Sequence, residues 1–134
     1  MAGDATLVCT TYDVASRVSA AKNRTYVYNF ARVIPLPFVE LLDLGAFHGA
    51  EIGYVLGSIP PPTAYTDGTL AAWMQEYWSR FAASGKPKAT KAPGWPRFKH
   101  KSYRMLRLDA SVEKMKDFRR AQCEFWSQYY ELNN

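Results

Sequence analysis

Thr25-Tyr26-Val27-Tyr28-Asn29-Phe30-Ala31-Arg32-Val33 carries β-branched and aromatic residues on both alternating faces of an extended segment. Such a run predicts a strand covered on both sides. Two-sided burial belongs to the interior of an α/β sheet, where parallel neighbours flank the strand and helices cover its faces. A strand of this kind cannot leave its edges and faces to water. Its sheet must be completed by a second chain or by self-association, or the segment must fold differently.

The remaining pattern supplies helices and one further strand. Leu7, Val8, Thr11, Val14, Ala15 and Val18 recur at helical spacing, predicting a helix over about residues 5 to 22 with Asp4 or Thr6 as its N-cap. Pro35 and Pro37 end the strand, and Phe38 to Leu44 reads as an apolar loop. Ser58-Ile59-Pro60-Pro61-Pro62-Thr63 reads as a rigid extended linker. Leu70, Trp73, Met74, Tyr77, Trp78 and Phe81 form a helical stripe stopped by Gly85, and its width suits core packing better than a binding face. Ser102 to Leu108 predicts a second strand, nearer a sheet edge, and Ser111 to Leu132 a closing helix with Met115, Phe118, Ala121, Phe125, Trp126 and Tyr129 on one side. With 134 residues, 48% of them hydrophobic, the chain is large enough for one domain with a core. No apolar run approaches the length of about 18 residues that a membrane span needs, and the first residues lack a signal peptide's layout.

Between the first strand and the striped helix lies Gly45-Ala46-Phe47-His48-Gly49-Ala50-Glu51-Ile52. Glycines on either side of a histidine permit a tight turn that pushes the imidazole clear of the backbone. Histidine is also the side chain that exchanges a proton near neutral pH. The turn follows the carboxyl end of the predicted strand, where open α/β sheets gather catalytic groups. A metal is not expected: His48 and Glu51 have i, i+3 spacing, but no His-Glu-x-x-His occurs and His100 is distant. His100, between two lysines, reads as exposed and non-catalytic. A histidine base needs a nucleophile, yet no Gly-x-Ser-x-Gly elbow occurs and neither cysteine has a glycine-turn context.

The formal charge is +5, and from Lys86 to Arg107 there are eight basic residues and no acidic one. Interleaved with Trp95, Phe98 and Tyr103, that stretch could bind nucleic acid, but Pro87, Pro93 and Pro96 favour a solvated loop whose aromatics tuck into the core. Cys9 and Cys123 stand near opposite ends and do not by themselves decide between thiols and a bridge. Asn23-Arg24-Thr25 has the form of a glycosylation sequon.

Taken together, residues 45–57 resemble the catalytic-histidine segment of the type-B carboxylesterases, a family of α/β-hydrolase fold that includes the cholinesterases. Thr25 to Phe30 resembles that family's late central strand, Trp78-Ser79-Arg80-Phe81-Ala82-Ala83-Ser84-Gly85-Lys86-Pro87 a helix end, Gly94-Trp95-Pro96 the Trp-Pro that follows, and Gln122 to Trp126 its closing helix. The resemblance implies that residues 1–134 form the C-terminal segment of one α/β-hydrolase domain: about two late strands with flanking helices, a sheet incomplete on its own. It implies a serine carboxylesterase in which His48 is the catalytic histidine, Gly49 and Glu51 support the active site, and the nucleophile, oxyanion hole and triad acid lie outside this chain, which alone would be inactive. It implies a Cys9–Cys123 disulfide, an ester substrate, no cofactor, and the rest of the hydrolase or another copy as partner. A paired disulfide and the Asn23 sequon point to a secreted or extracytoplasmic setting, with a cytoplasmic one as the alternative. Leu42-Asp43-Leu44-Gly45-Ala46-Phe47 is more like bacterial and fungal carboxylesterases than cholinesterases, so choline esters are not the first expectation. The family's adhesion and prohormone modules make a non-catalytic interaction module the alternative.

Overall fold

The computed structural model describes residues 3–61 and 63–132. In chain order they form α1 (Cys9–Ala20), β1 (Tyr28–Phe30), α2 (Pro37–Leu41), α3 (Ile52–Leu56), α4 (Thr63–Ser84), β2 (Arg104–Leu108), β3 (Glu113–Lys116) and α5 (Arg120–Leu132). Their contacts gather into two units, one of Met1–Val27, Pro96–Met105 and Met115–Asn134, the other of Tyr28–Trp95 and Leu106–Lys114.

In the first unit a π-helical stretch, Asp4–Val8, runs directly into α1. The expected first helix is present, but no side chain caps its N-terminus. Asp4 is instead buried, and its carboxylate lies 3.6 Å from Arg119. Tyr12 and Ala15 of α1 pack with Val27, Phe98, Met105 and Cys123, and the Tyr12 hydroxyl donates to the Phe118 carbonyl at 2.6 Å. The single closing helix expected from Ser111 is corrected. Asp117 and Arg119 have φ of 57° and 56°, a left-handed backbone that a right-handed helix cannot contain. Residues 113–116 therefore go to β3, and α5 begins only at Arg120.

In the second unit β1 pairs with β2 in parallel, Tyr28 opposite Leu106 and Phe30 opposite Leu108, and Ala31 N–H extends the ladder to the Leu108 carbonyl at 2.8 Å. Parallel neighbours need a long crossover, and α2 to α4 occupy it. The sheet has three strands in the order β1-β2-β3, not two. β2, expected nearer an edge, is flanked on both sides, with Met105, Leu106 and Leu108 all buried, while β1 is short, half-buried and at the edge of the described sheet. Its sequence pattern spans nine residues, but the strand itself covers only three.

The second unit's core joins Tyr54, Leu70, Ala71, Met74, Tyr77, Leu106, Leu108 and Val112. The stripe on α4 packs as expected at Leu70, Met74 and Tyr77, with Trp73 and Trp78 partly buried and Phe81 exposed. Gly85, at φ 67°, follows the helix. Of the predicted extended linker, Ser58–Pro61 is non-helical, Pro62 lies outside the described residues, and Thr63 already belongs to α4. The proline-rich loop after α4 is tied down by Glu76, which accepts from Thr90 N–H at 2.6 Å and its hydroxyl at 2.9 Å, and by the Tyr77 hydroxyl on the Pro93 carbonyl. No described helix is long and apolar enough to cross a membrane.

Candidate active site

The segment read as an apolar loop after the strand contains α2. Pro37 occupies its first turn, where a missing N–H costs nothing, and Leu36 before it is extended. After α2 the chain turns through Asp43 and Gly45, at φ 47° and 57°, and reaches His48 in a turn that Gly49 completes at φ 85°. Gly49 tolerates that φ because it lacks a Cβ. Ala50 N–H bonds the Phe47 carbonyl at 3.2 Å and Ile52 N–H the Gly49 carbonyl at 3.1 Å, so the turn passes straight into α3. His48 is exposed, and among the described residues no hydrogen bond or ion pair engages its ring.

Glu51, half-buried at the end of this turn, accepts a hydrogen bond from the Tyr28 hydroxyl at 3.2 Å. This ties the histidine turn to β1. The Tyr28 phenol is pushed up to about 12, by burial first and by the Glu51 carboxylate second, so it stays a donor at physiological pH. Its ring meets Trp78 and Trp95 edge-on at 5.1 and 6.0 Å, and Tyr77 meets Trp95 at 5.3 Å. Rigid aromatic packing thus stands behind the tie.

A second tie holds the ends of the excursion that carries His48. Asp67 on α4, 4% exposed, receives Arg32 as a bidentate fork at 2.7 and 2.8 Å and the Tyr54 hydroxyl at 2.5 Å. Arg32 follows β1 and Tyr54 lies on α3, so one carboxylate fixes the chain on both sides of the histidine turn. Burial alone would raise the Asp67 pKa, but the hydrogen bonds from Arg32 and Tyr54 outweigh it and the net direction is down. A carboxylate whose folded pKa is depressed adds stability above its unfolded pKa and loses it as the pH falls through the folded value. Removing it leaves Arg32 partly buried and unpaired. Asp67→Ala should therefore cost about 3 kcal/mol, the low end for a broken buried pair because the Arg32 side chain retains 21% exposure. Urea unfolding at neutral pH checks this, and the variant's stability should fall less steeply than wild type's on acidification.

Of the residues singled out in the sequence, His48, Gly49 and Glu51 are brought together in one turn. Cys9 and Cys123 form a disulfide between α1 and α5, with Cα atoms 5.0 Å apart. Asn23 is exposed beyond the end of α1, and His100 is exposed. In the basic stretch Phe98 is fully buried and the half-buried Tyr103 ring meets Tyr12 at a tilt, centroids 5.1 Å apart, the tucked loop that its prolines suggested. Tyr28, Arg32, Tyr54 and Asp67 escaped the sequence reading. The available signal was Asp67, which lies three and seven residues before Leu70 and Met74 and so sits on the core stripe, where a carboxylate demands a partner. Among the described residues no cluster of histidine, cysteine or carboxylate side chains could hold a metal ion.

The family model described as "Carboxylesterase family" matches residues 1–126. Carboxylesterase 4A of Bos taurus is 32% identical over 133 residues, covering 98% of this chain and 24% of that protein. Acetylcholinesterase-1 of Trittame loki is 26% identical over 134 residues, covering 97% of this chain and 24% of that protein. Acetylcholinesterase 4 of Caenorhabditis briggsae is 30% identical over 94 residues, covering 61% of this chain and 15% of that protein. The chain spans about a quarter of the length of the first two of these relatives.

Proposed function

Because the chain belongs to the carboxylesterase family, we propose that it is the histidine-bearing C-terminal portion of a serine carboxylic ester hydrolase, one domain whose other residues supply the nucleophile, the oxyanion hole and the triad acid. The observation that carries this reading is His48, raised on a turn between two glycines at positive φ and left unengaged by its neighbours. In this role its imidazole takes the proton of the serine hydroxyl as that oxygen attacks the ester carbonyl. It then returns the proton to the departing alcohol, leaving an acyl-serine that water clears by the same route in reverse. Gly49 sets the angle of the turn. Glu51, held by Tyr28, steadies it.

Phe38, Leu41, Leu42 and Leu44, all exposed beside the turn, fit the same reading. An apolar group of this kind calls for cover, here by the rest of the hydrolase and by the ester's acyl chain. The disulfide is in keeping with a secreted or extracytoplasmic setting, and Asn23 is accessible to glycosylation there.

The test is a pre-steady-state assay with a short-chain aryl ester. The polypeptide that includes the upstream residues should release one equivalent of phenol in a burst, and the 134-residue chain alone should release none. A burst from the chain alone, or turnover by neither, contradicts the proposal.

A further inference from the structure

The net charge of +5 resides entirely in one unit. The second unit holds seven basic and seven acidic residues, whereas the first holds ten basic and five acidic. Within the first unit the described carboxylates are already taken: Asp13 by Arg17, Asp4 by Arg119, and Asp117 and Glu124 by Arg120. Lys22, Arg24, Arg97, Lys99, Lys101 and Arg104 are exposed, and among the described residues none of them meets a carboxylate.

The fold brings these cations onto adjoining segments. Phe98 N–H bonds the Thr25 carbonyl at 2.8 Å, and the Arg97 guanidinium donates to the carbonyls of Lys22 and Asn23 at 3.2 and 3.1 Å. Residues 22–25 therefore lie beside 97–98. Lys99 opens a turn in which its carbonyl accepts from Ser102 and Tyr103 N–H at 2.8 and 3.1 Å, so that Lys99, His100 and Lys101 face solvent. A concentration of unpaired cations attracts a polyanion by releasing its counterions.

The structure also discriminates among polyanions. Single-stranded nucleic acid needs aromatic faces on which bases stack. Here Phe98 is fully buried, and the half-buried Tyr103 ring packs against Tyr12 at 5.1 Å, Phe98 at 5.8 Å and the Arg120 guanidinium at 4.9 Å. Residues 22–24 and 97–104 offer charge without an exposed Phe, Tyr or Trp ring. The same unit holds the Cys9–Cys123 disulfide, a bond that persists in oxidising compartments such as the cell exterior, where sulfated polysaccharides are among the linear polyanions a protein meets. We infer that the face built from residues 22–24 and 97–104 docks a sulfated polysaccharide.

Heparin binding by the full chain, measured by calorimetry across a salt series with its disulfide intact, tests this. Binding should persist at about 0.15 M salt and weaken steeply as salt rises. The variant Arg24→Glu/Lys99→Glu/Lys101→Glu should bind about tenfold more weakly or worse and show a shallower salt slope. The control Lys86→Glu/Lys88→Glu/Lys91→Glu changes the net charge equally but lies in the second unit, and it should bind like wild type. Equal losses in both variants would reduce the effect to overall charge and overturn the assignment. So would an absence of heparin binding at that salt, equal binding to the unsulfated polymer, or tighter binding to a single-stranded oligonucleotide of matched charge. Circular dichroism of each variant checks that the fold is kept, which exposed loop positions should ensure.

Discussion

His48→Ala in the intact hydrolase should lower kcat on a short-chain aryl ester by about ten-thousand-fold or more, equivalent to about 5.5 kcal/mol of transition-state stabilisation. Without the imidazole the serine hydroxyl attacks undissociated and the alcohol leaves without a proton. Only substrate positioning and oxyanion stabilisation remain. KM should change little, because the exposed apolar residues beside the turn are untouched. The loss is separable from unfolding, since an exposed side chain leaves no cavity when truncated and the melting temperature should be unchanged. Near-normal turnover would show that this histidine carries no proton in the reaction.

Opening the Cys9–Cys123 bridge should cost about 4 to 5 kcal/mol. The two cysteines are 114 residues apart, and in the chain-entropy picture a loop of that length restricts the unfolded ensemble strongly. A typical domain has only about 5 to 15 kcal/mol in total, so the bridge should carry a large share of the chain's stability. The clean comparison is urea unfolding of the oxidised and reduced wild-type chain. A Cys→Ser pair would also place a hydroxyl at Cys123, 8% exposed among Tyr12, Val27 and Phe98. Coincident unfolding curves would mean that the bridge constrains nothing.

What the sequence made legible was local. The core stripe of α4 needs only helical spacing, and the histidine turn announces itself through Gly45 and Gly49, whose positive φ is unstrained because they have no Cβ. The preference of residues 25–33 for parallel company was readable too, and β1 finds it in β2. Its length was not, because a ladder depends on the partner as much as on the strand. Pro37 looked like a breaker but begins α2, since proline stops a helix only from within. The start of α5 was hidden because Asp117 and Arg119 adopt a left-handed backbone imposed by tertiary contacts, Asp117 N–H bonding the Tyr103 carbonyl at 3.3 Å.

Around the candidate site the same division holds. A carboxylate on the buried face of α4 called for a cation, but that the cation is Arg32, 35 residues earlier, only the fold discloses. Tyr28 bonding Glu51 across 23 residues is of the same kind. Both ties converge on the segment that carries His48, so the parts least visible in the sequence are those that hold its most visible residue in place.

Labelling with a fluorophosphonate tests the proposal that His48 activates a serine supplied by other polypeptide more directly than turnover does, since the reagent reacts covalently with activated serines and needs no leaving-alcohol step. In the intact hydrolase one serine upstream of Met1 should be labelled rapidly. His48→Ala should slow that labelling by about a thousandfold or more, and His100→Ala should leave it unchanged. Equal labelling rates in wild type and His48→Ala would contradict the account.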